Sequence, residues 1–287
     1  MLYFWYRLGI LLVVLLPRFL TTALSYFFGF FAFLFTPQER RSVCNNLRAI
    51  LGDVELPVLW KLTLKNYSNF IIGLRDLMSF LYKDRSTITR FTDPESVRDR
   101  LSELTSDSSL IILSAHLGNW ELSAFVVGYL GYRAHAIGLA QPDSDIEKIY
   151  QTLREKANVV VHPFKGGIVG VYKALKEGEI ASIVSDRDIN HDGVCVEFCG
   201  RRVKFPRGAA VLAFRTHSRS VLGCLIRDKR GYIPYLSEEI IVKENGSEEE
   251  FVKEYVQAFA KYLETFVKKY PDQWFQFFDY FKEYGCL

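Results

Sequence analysis

Leu110-Ile-Ile-Leu-Ser-Ala-His116-Leu-Gly-Asn-Trp-Glu121-Leu-Ser-Ala-Phe125 reads as a buried strand, a tight turn and the start of a helix. The apolar run Leu110–Leu113 has no polar face, so the strand must be covered on both sides. Residues five apart on one helix point about 140° apart, so His116 and Glu121 cannot share a helical face. His116 therefore lies before the helix, Gly118 and Asn119 make the turn, and Asn119 is the N-cap. Glu121 then falls in the first turn, where its charge suits the helix dipole and its carboxylate can reach back to the imidazole. Such an acid would fix one ring nitrogen and leave the other to take a proton as general base. Backbone N–H groups at the turn and helix start are candidates for an oxyanion site.

Outward from this stretch, short β-rich runs recur at His135–Leu139, Val159–His162, Ile180–Ser185, Val194–Phe198 and Val221–Ile226. Helical patterns lie between many of them, at Trp120–Tyr129, Ile146–Lys156, Ile168–Glu177 and Gly208–Thr216. Strands alternating with helices argue for an α/β fold, a central mostly parallel or mixed sheet flanked by helices. Upstream, Thr36-Pro37-Gln-Glu39 starts one helix to about Leu51, and Pro57 opens a longer one to about Tyr82. Downstream, the acidic run Ser247–Glu250 caps an amphipathic helix through Lys269, which Pro271 ends.

At the start of the chain, Leu8–Leu16 is apolar, and so is Phe19–Phe35 apart from Thr21, Thr22 and Ser25. Pro17 and Arg18 separate the two runs, and neither alone reaches the roughly 20 residues of a bilayer span. A secretory signal would need a small-residue cleavage site, which is missing, and would leave the second run without a home. The expected organisation is a membrane-associating helical segment over residues 1–35 and one domain over 36–287. A net charge of +3 is too mild for a nucleic-acid module. The five cysteines lack any C-x-x-C pair, so a reduced, cytoplasmic setting is the simplest reading.

The string His116-Leu-Gly-Asn-Trp-Glu121 resembles the H-x-x-x-x-(D/E) motif of the lysophospholipid acyltransferase superfamily, specifically the bacterial lipid A and phosphatidylinositol mannoside acyltransferases. Ser185-Asp186-Arg187-Asp188, the run Gly193-Val-Cys-Val-Glu-Phe-Cys-Gly200 and Phe205-Pro206-Arg207-Gly208 follow in the family's order. Gly166-Gly167 opening a helix and Tyr270-Pro-Asp-Gln-Trp274 extend the similarity over nearly the whole chain. The Gly-Asn-Trp and Asp-Arg-Asp wording is closer to the mannoside branch. The resemblance implies a glycerolipid acyltransferase-like sandwich that moves a fatty acyl group from acyl-CoA or acyl carrier protein to a hydroxyl of a membrane lipid or glycolipid. It implies no cofactor beyond that donor substrate, and a place at the cytoplasmic face of the cell membrane.

The resemblance also supports His116 and Glu121 as the catalytic pair, with Gly118, Asn119 and Trp120 beside the substrate; Asp186, Arg187 and Asp188, a charged triplet directly after an apolar strand, fall at the sheet edge where α/β sites form and are further substrate-contact candidates. Arg154 matches the arginine that helps place active-site groups or bound substrate in these enzymes. The basic segment Arg201–Arg207 is a candidate for phosphate contacts, or a solvated hairpin. Cys199, and His217 within Thr216-His217-Ser218, depart from the family's wording. No G-x-S-x-G and no H-E-x-x-H occurs, which argues against a serine hydrolase or zinc hydrolase. The alternative of another class is a non-catalytic lipid-binding protein on the same fold; an oriented base argues against it.

Overall fold

Lacking a polar face, β1 (Leu110–Ser114) is buried along its whole length. In the computed structural model, which describes residues 2–243 and 246–286, it sits inside a six-stranded sheet of order β3-β2-β4-β1-β7-β8. The other strands of that sheet are β2 (Ala134–Gly138), β3 (Val159–Pro163), β4 (Ile180–Val184), β7 (Arg219–Asp228) and β8 (Gly231–Leu236). All pairings are parallel except that of β7 with β8. The expected α/β fold is therefore the observed one. A separate antiparallel hairpin joins β5 (Val194–Phe198) to β6 (Arg201–Phe205).

Two strands are not marked by an apolar run of their own. β8 carries Pro234, which a sheet tolerates at an edge, and it pairs with β7 alone. β6 begins with two exposed arginines and reads as a solvated segment, yet its Val203 and Phe205 are fully buried.

Helices α6 (Trp120–Tyr129), α7 (Ser144–Lys156), α8 (Ile168–Lys176) and α9 (Gly208–Thr216) fill the connections between strands. α5 (Arg98–Leu104) precedes β1, and α10 (Glu248–Lys269) and the short α11 (Tyr280–Glu283) follow the sheet. Asn119 accepts from the Leu122 N–H at the start of α6, as the spacing predicts. Ser247 and Glu250 close a capping box on α10.

The two apolar N-terminal runs form separate helices, α1 (Leu2–Leu15) and α2 (Arg18–Phe35), broken at Pro17. α2 has 18 residues and is apolar enough to cross a membrane by length and composition. At 1.5 Å per residue it rises roughly 27 Å, close to a hydrocarbon core of about 30 Å. One stripe of it, Thr21, Ser25, Gly29 and Phe33, is buried. That stripe lies against α4 (Leu56–Met78), and a Cβ on Gly29 would meet the Ser68 backbone at 2.9 Å. The opposite side leaves Phe19, Phe27, Phe28 and Phe35 about half exposed or more, and Leu56 and Trp60 of α4 are exposed as well. α3 (Pro37–Leu51) follows, with Thr36 at its N-cap position. The Thr36 hydroxyl bonds back to Ala32 O and to Tyr67 Oη, so it does not cap α3 through its side chain.

A buried polar chain runs from α2 to the motif turn. Arg75 donates to Thr22 Oγ1 at 2.6 Å and pairs with Asp76 at 2.7 Å. Asp76 accepts from Tyr232 Oη at 2.8 Å, and Asn119 Nδ2 reaches Gly73 O at 3.0 Å and Tyr232 Oη at 3.4 Å. Buried charges of this kind persist only when paired and hydrogen-bonded.

The expectation of five reduced cysteines is corrected: Cys195 and Cys286 form a disulfide across 91 residues. Sequence spacing gives no hint of so distant a partner. The remaining thiols are Cys44, Cys199 and Cys224.

Candidate active site

The register of the sheet builds the site. β1 and β4 are parallel, with Ser114 opposite Val184, and the Ser185 N–H continues the ladder to Ser114 O at 2.9 Å. Two residues past those strand ends, His116 and Asp186 therefore face each other at the carboxyl edge of the sheet, where open α/β folds place ligands. The His116 Nδ1 lies 2.8 Å from Asp186 Oδ1, and the His116 backbone N–H donates to Oδ2 at 3.0 Å.

Asp186 is completely buried, and its second oxygen also accepts from Trp274 Nε1 at 3.1 Å and Gln276 Nε2 at 2.7 Å. Burial by itself would raise its pKa. The charge and hydrogen bonds of His116 and the nearby Arg187 outweigh that and pull it down to about 2. Asp186 is thus an anion at neutral pH, and a carboxylate against Nδ1 fixes the tautomer whose Nδ1 carries the proton. His116 Nε2 has no protein partner among the described residues, and the ring lines a cavity of about 840 Å³.

The predicted partner of His116, Glu121, lies elsewhere. Its carboxylate takes a two-pronged contact from Arg154, at 2.6 Å from NH2 and 3.2 Å from Nε. The helix start does sit where the sequence places it, but the acid turns toward α7 rather than back to the imidazole. Asp186, which the sequence assigns to substrate contact, holds the position expected of Glu121. Glu121 and Arg154 both line the cavity, as do Gly118, Asn119, Trp120, Arg187 and Asp188. Of the residues expected at the site, all but the fully buried Asp186, which lies behind His116, line this one cavity.

Their individual roles differ. Trp120 stands with its ring 5.0 Å from that of His116. Asn119 caps α6 and ties the turn to α4. Gly118 has φ +64°, and a Cβ there would lie 2.2 Å from Leu225 O, so no other residue fits without moving β7. Arg187 donates to Phe275 O and to Gln276 Oε1. Asp188 is buried and accepts from the Gly193 N–H.

The backbone amides expected to offer an oxyanion site are mostly in use. His116 N–H goes to Asp186, Leu117 N–H to Ala115 O, Gly118 N–H to Gln273 O and Asn119 N–H to Leu225 O. Trp120 and Glu121, at the first turn of α6, keep their N–H groups without a protein acceptor among the described residues.

Residues the sequence reading did not single out come from the segment after α10. Besides Trp274 and Gln276 on Asp186, Phe275 N–H donates to His116 O at 2.7 Å and Tyr280 Oη to Asp186 O at 2.7 Å. Asn46, Asn66 and Asn69 of α3 and α4 donate to backbone carbonyls of residues 272–278 and hold that segment against the site. The available signal was Tyr270-Pro-Asp-Gln-Trp274, a polar stop after an amphipathic helix.

A mostly parallel α/β sheet with a histidine–carboxylate pair at its carboxyl edge, opening on a large cavity, is the frame that the comparison with known proteins meets. The chain belongs to the bacterial lipid A biosynthesis acyltransferase family, whose family model matches residues 1–283. It is also similar to a phosphatidylinositol mannoside acyltransferase of Mycolicibacterium smegmatis, 22% identical over 185 residues, covering 63% of this chain and 60% of that protein. The chain thus spans about 60% of the length of that relative.

Proposed function

We propose that this chain transfers a fatty acyl group from an acyl thioester, acyl-CoA or acyl carrier protein, to a hydroxyl of a membrane lipid or glycolipid, with His116 as general base. The observation that carries the reading is the His116–Asp186 contact, which leaves Nε2 facing the cavity. The acceptor hydroxyl attacks the thioester carbonyl as Nε2 takes its proton. A C–O bond forms and the C–S bond breaks, and the imidazolium returns the proton to the leaving thiolate. The N–H groups of Trp120 and Glu121 suit the oxyanion of the tetrahedral intermediate. Arg154, held by Glu121, and Arg187 and Asp188 line the substrate space.

No enzyme nucleophile is needed. Cys195 is tied up in the disulfide, and burial together with the Glu264 carboxylate pushes the Cys199 thiol up to about 12. The exposed aromatic side of α2 supports membrane attachment, and Arg18 and Arg41 beside it suit the anionic cytoplasmic leaflet.

The test is His116→Ala in purified full-length protein. Loss of a positioned general base typically lowers turnover by about 100-fold to 10,000-fold. Near-normal turnover would end the mechanism.

A further inference from the structure

We propose that Lys165 and Arg207 form an anion subsite on the cavity rim that takes a phosphate ester of a substrate. The inference rests on the acyl-transfer reading for the meaning of the ligand, but its binding test does not depend on the base.

Four cations line the cavity. Arg154 is committed to Glu121, and Arg187 to Phe275 O and Gln276. Lys165 and Arg207 make no ion pair and no side-chain hydrogen bond among the described residues, although Arg207 is half-buried. A guanidinium drawn partly out of water without a direct ion pair carries a desolvation cost that a ligand anion would offset.

The two residues come from distant loops, Lys165 from that between β3 and α8 and Arg207 from that between β6 and α9. Both line the same cavity, and the elements that carry them approach where Ile168 Cδ1 lies 3.9 Å from the Cβ position of Gly208. Among the acids of the same lining, Glu121 is neutralised by Arg154 and Asp188 holds the Gly193 N–H. Asp192 is exposed nearby and pairs with neither cation, and Glu248, whose charge Arg207 also feels, is held by Arg215, so Lys165 and Arg207 are left without an ion pair of their own among the described residues.

The structure also separates Arg207 from the rest of its basic stretch. Arg201 sits over the Phe281 ring, Arg202 is exposed on the hairpin, and only Arg207 of these three lines the cavity. An ammonium and a forked guanidinium together suit the non-bridging oxygens of a phosphate ester. Two substrates could supply that group: the thioester donor, through its pantetheine-linked phosphate, or the lipid acceptor, through its headgroup.

The experiment is titration calorimetry on the full chain in detergent, with two probe pairs that differ in phosphate. 4′-Phosphopantetheine against pantetheine reports the donor, and lysophosphatidic acid against monoacylglycerol in mixed micelles reports the acceptor. Wild type should favour the phosphate-bearing member of one pair by about 10-fold or more. Lys165→Gln/Arg207→Gln should abolish that preference, each single change should weaken it, and Arg201→Gln/Arg202→Gln should leave it intact. The affected pair identifies the source. His116→Ala should keep the preference, so a failed base and a failed subsite are told apart. An unchanged preference for both pairs in the folded double variant, or none in wild type, overturns the proposal.

Discussion

Asp186 Oδ1 stands 2.8 Å from His116 Nδ1, while the motif acid Glu121 is held 2.6 Å from Arg154 NH2. The carboxylate that orients the histidine thus comes from the neighbouring strand end rather than from the motif itself. Asp186→Asn, which keeps the size but removes the charge, should lower turnover by about 100-fold or more. Glu121→Gln should cost less in kcat and show mainly in KM, because Arg154 loses a charged partner at the cavity wall. Steady-state kinetics on both variants checks this. Glu121→Gln as severe as His116→Ala, with Asp186→Asn near wild type, would restore the motif pairing.

The same buried anion predicts an acid limb in stability. The folded-state pKa of Asp186 lies near 2, below the ordinary carboxylate value of about 3.9. Its contribution is therefore complete only above about pH 5 and is lost as pH falls toward 2, amounting to about 2.5 kcal/mol. Urea melts between pH 2 and 6 should show this slope in wild type and a flatter one in Asp186→Asn. Equal slopes would mean that the carboxylate is not held as an anion by His116.

Thiol chemistry gives a third check. In folded, unreduced protein only Cys44, Cys199 and Cys224 are thiols, so alkylation after unfolding without reductant should label three cysteines, and five once reductant is added. Cys199→Ala should leave turnover within a few-fold of wild type, since its thiol is not ionised near neutral pH. Mass spectrometry after incubation with donor alone should find no covalent acyl adduct. A stoichiometric adduct that is chemically competent for transfer would replace direct attack by an acyl-enzyme.

Membrane attachment is best tested without deleting residues 1–35. α2 is packed on α4 and supplies Thr22 to Arg75, so its removal would uncover a buried charge pair. Changing Phe27, Phe31 and Phe35 to Ser alters only outward-facing rings. Each such ring contributes about 1.5–3 kcal/mol when buried in an apolar phase. The triple variant should therefore melt like wild type but move largely to the soluble fraction after cell fractionation. Retention in the membrane pellet would assign the anchoring to another surface.

Much of this architecture was legible locally. The helix at Trp120–Tyr129 announces itself through Asn119 and Glu121, and the capping box of Ser247 and Glu250 marks α10. β1 is plain from its unbroken apolar run. The partner of His116 was not legible, because it depends on strand register: Asp186 reaches the ring only through the pairing of Ser114 with Val184, set by contacts 70 residues apart. Glu121 is nearer in sequence and has the right chemistry, yet a salt bridge to Arg154 on another helix takes it away. β6 was hidden by its arginines, and the role of Gln276 by a stretch without periodicity. The cysteine pairing lay beyond any spacing rule for the same reason as the histidine pairing.

The Cys195–Cys286 bond makes a covalent ring of everything between the hairpin and the tail. Inside that ring lie Trp274 and Gln276, two of the groups that hold the Asp186 carboxylate. An unconstrained tail could peel away and leave a naked anion beneath the histidine, since weakly packed segments open first. With the ring closed, the open state is a tethered loop rather than a free chain, and the entropy it would gain is smaller. A covalent link outside the cavity thereby keeps the groups around the Asp186 carboxylate together.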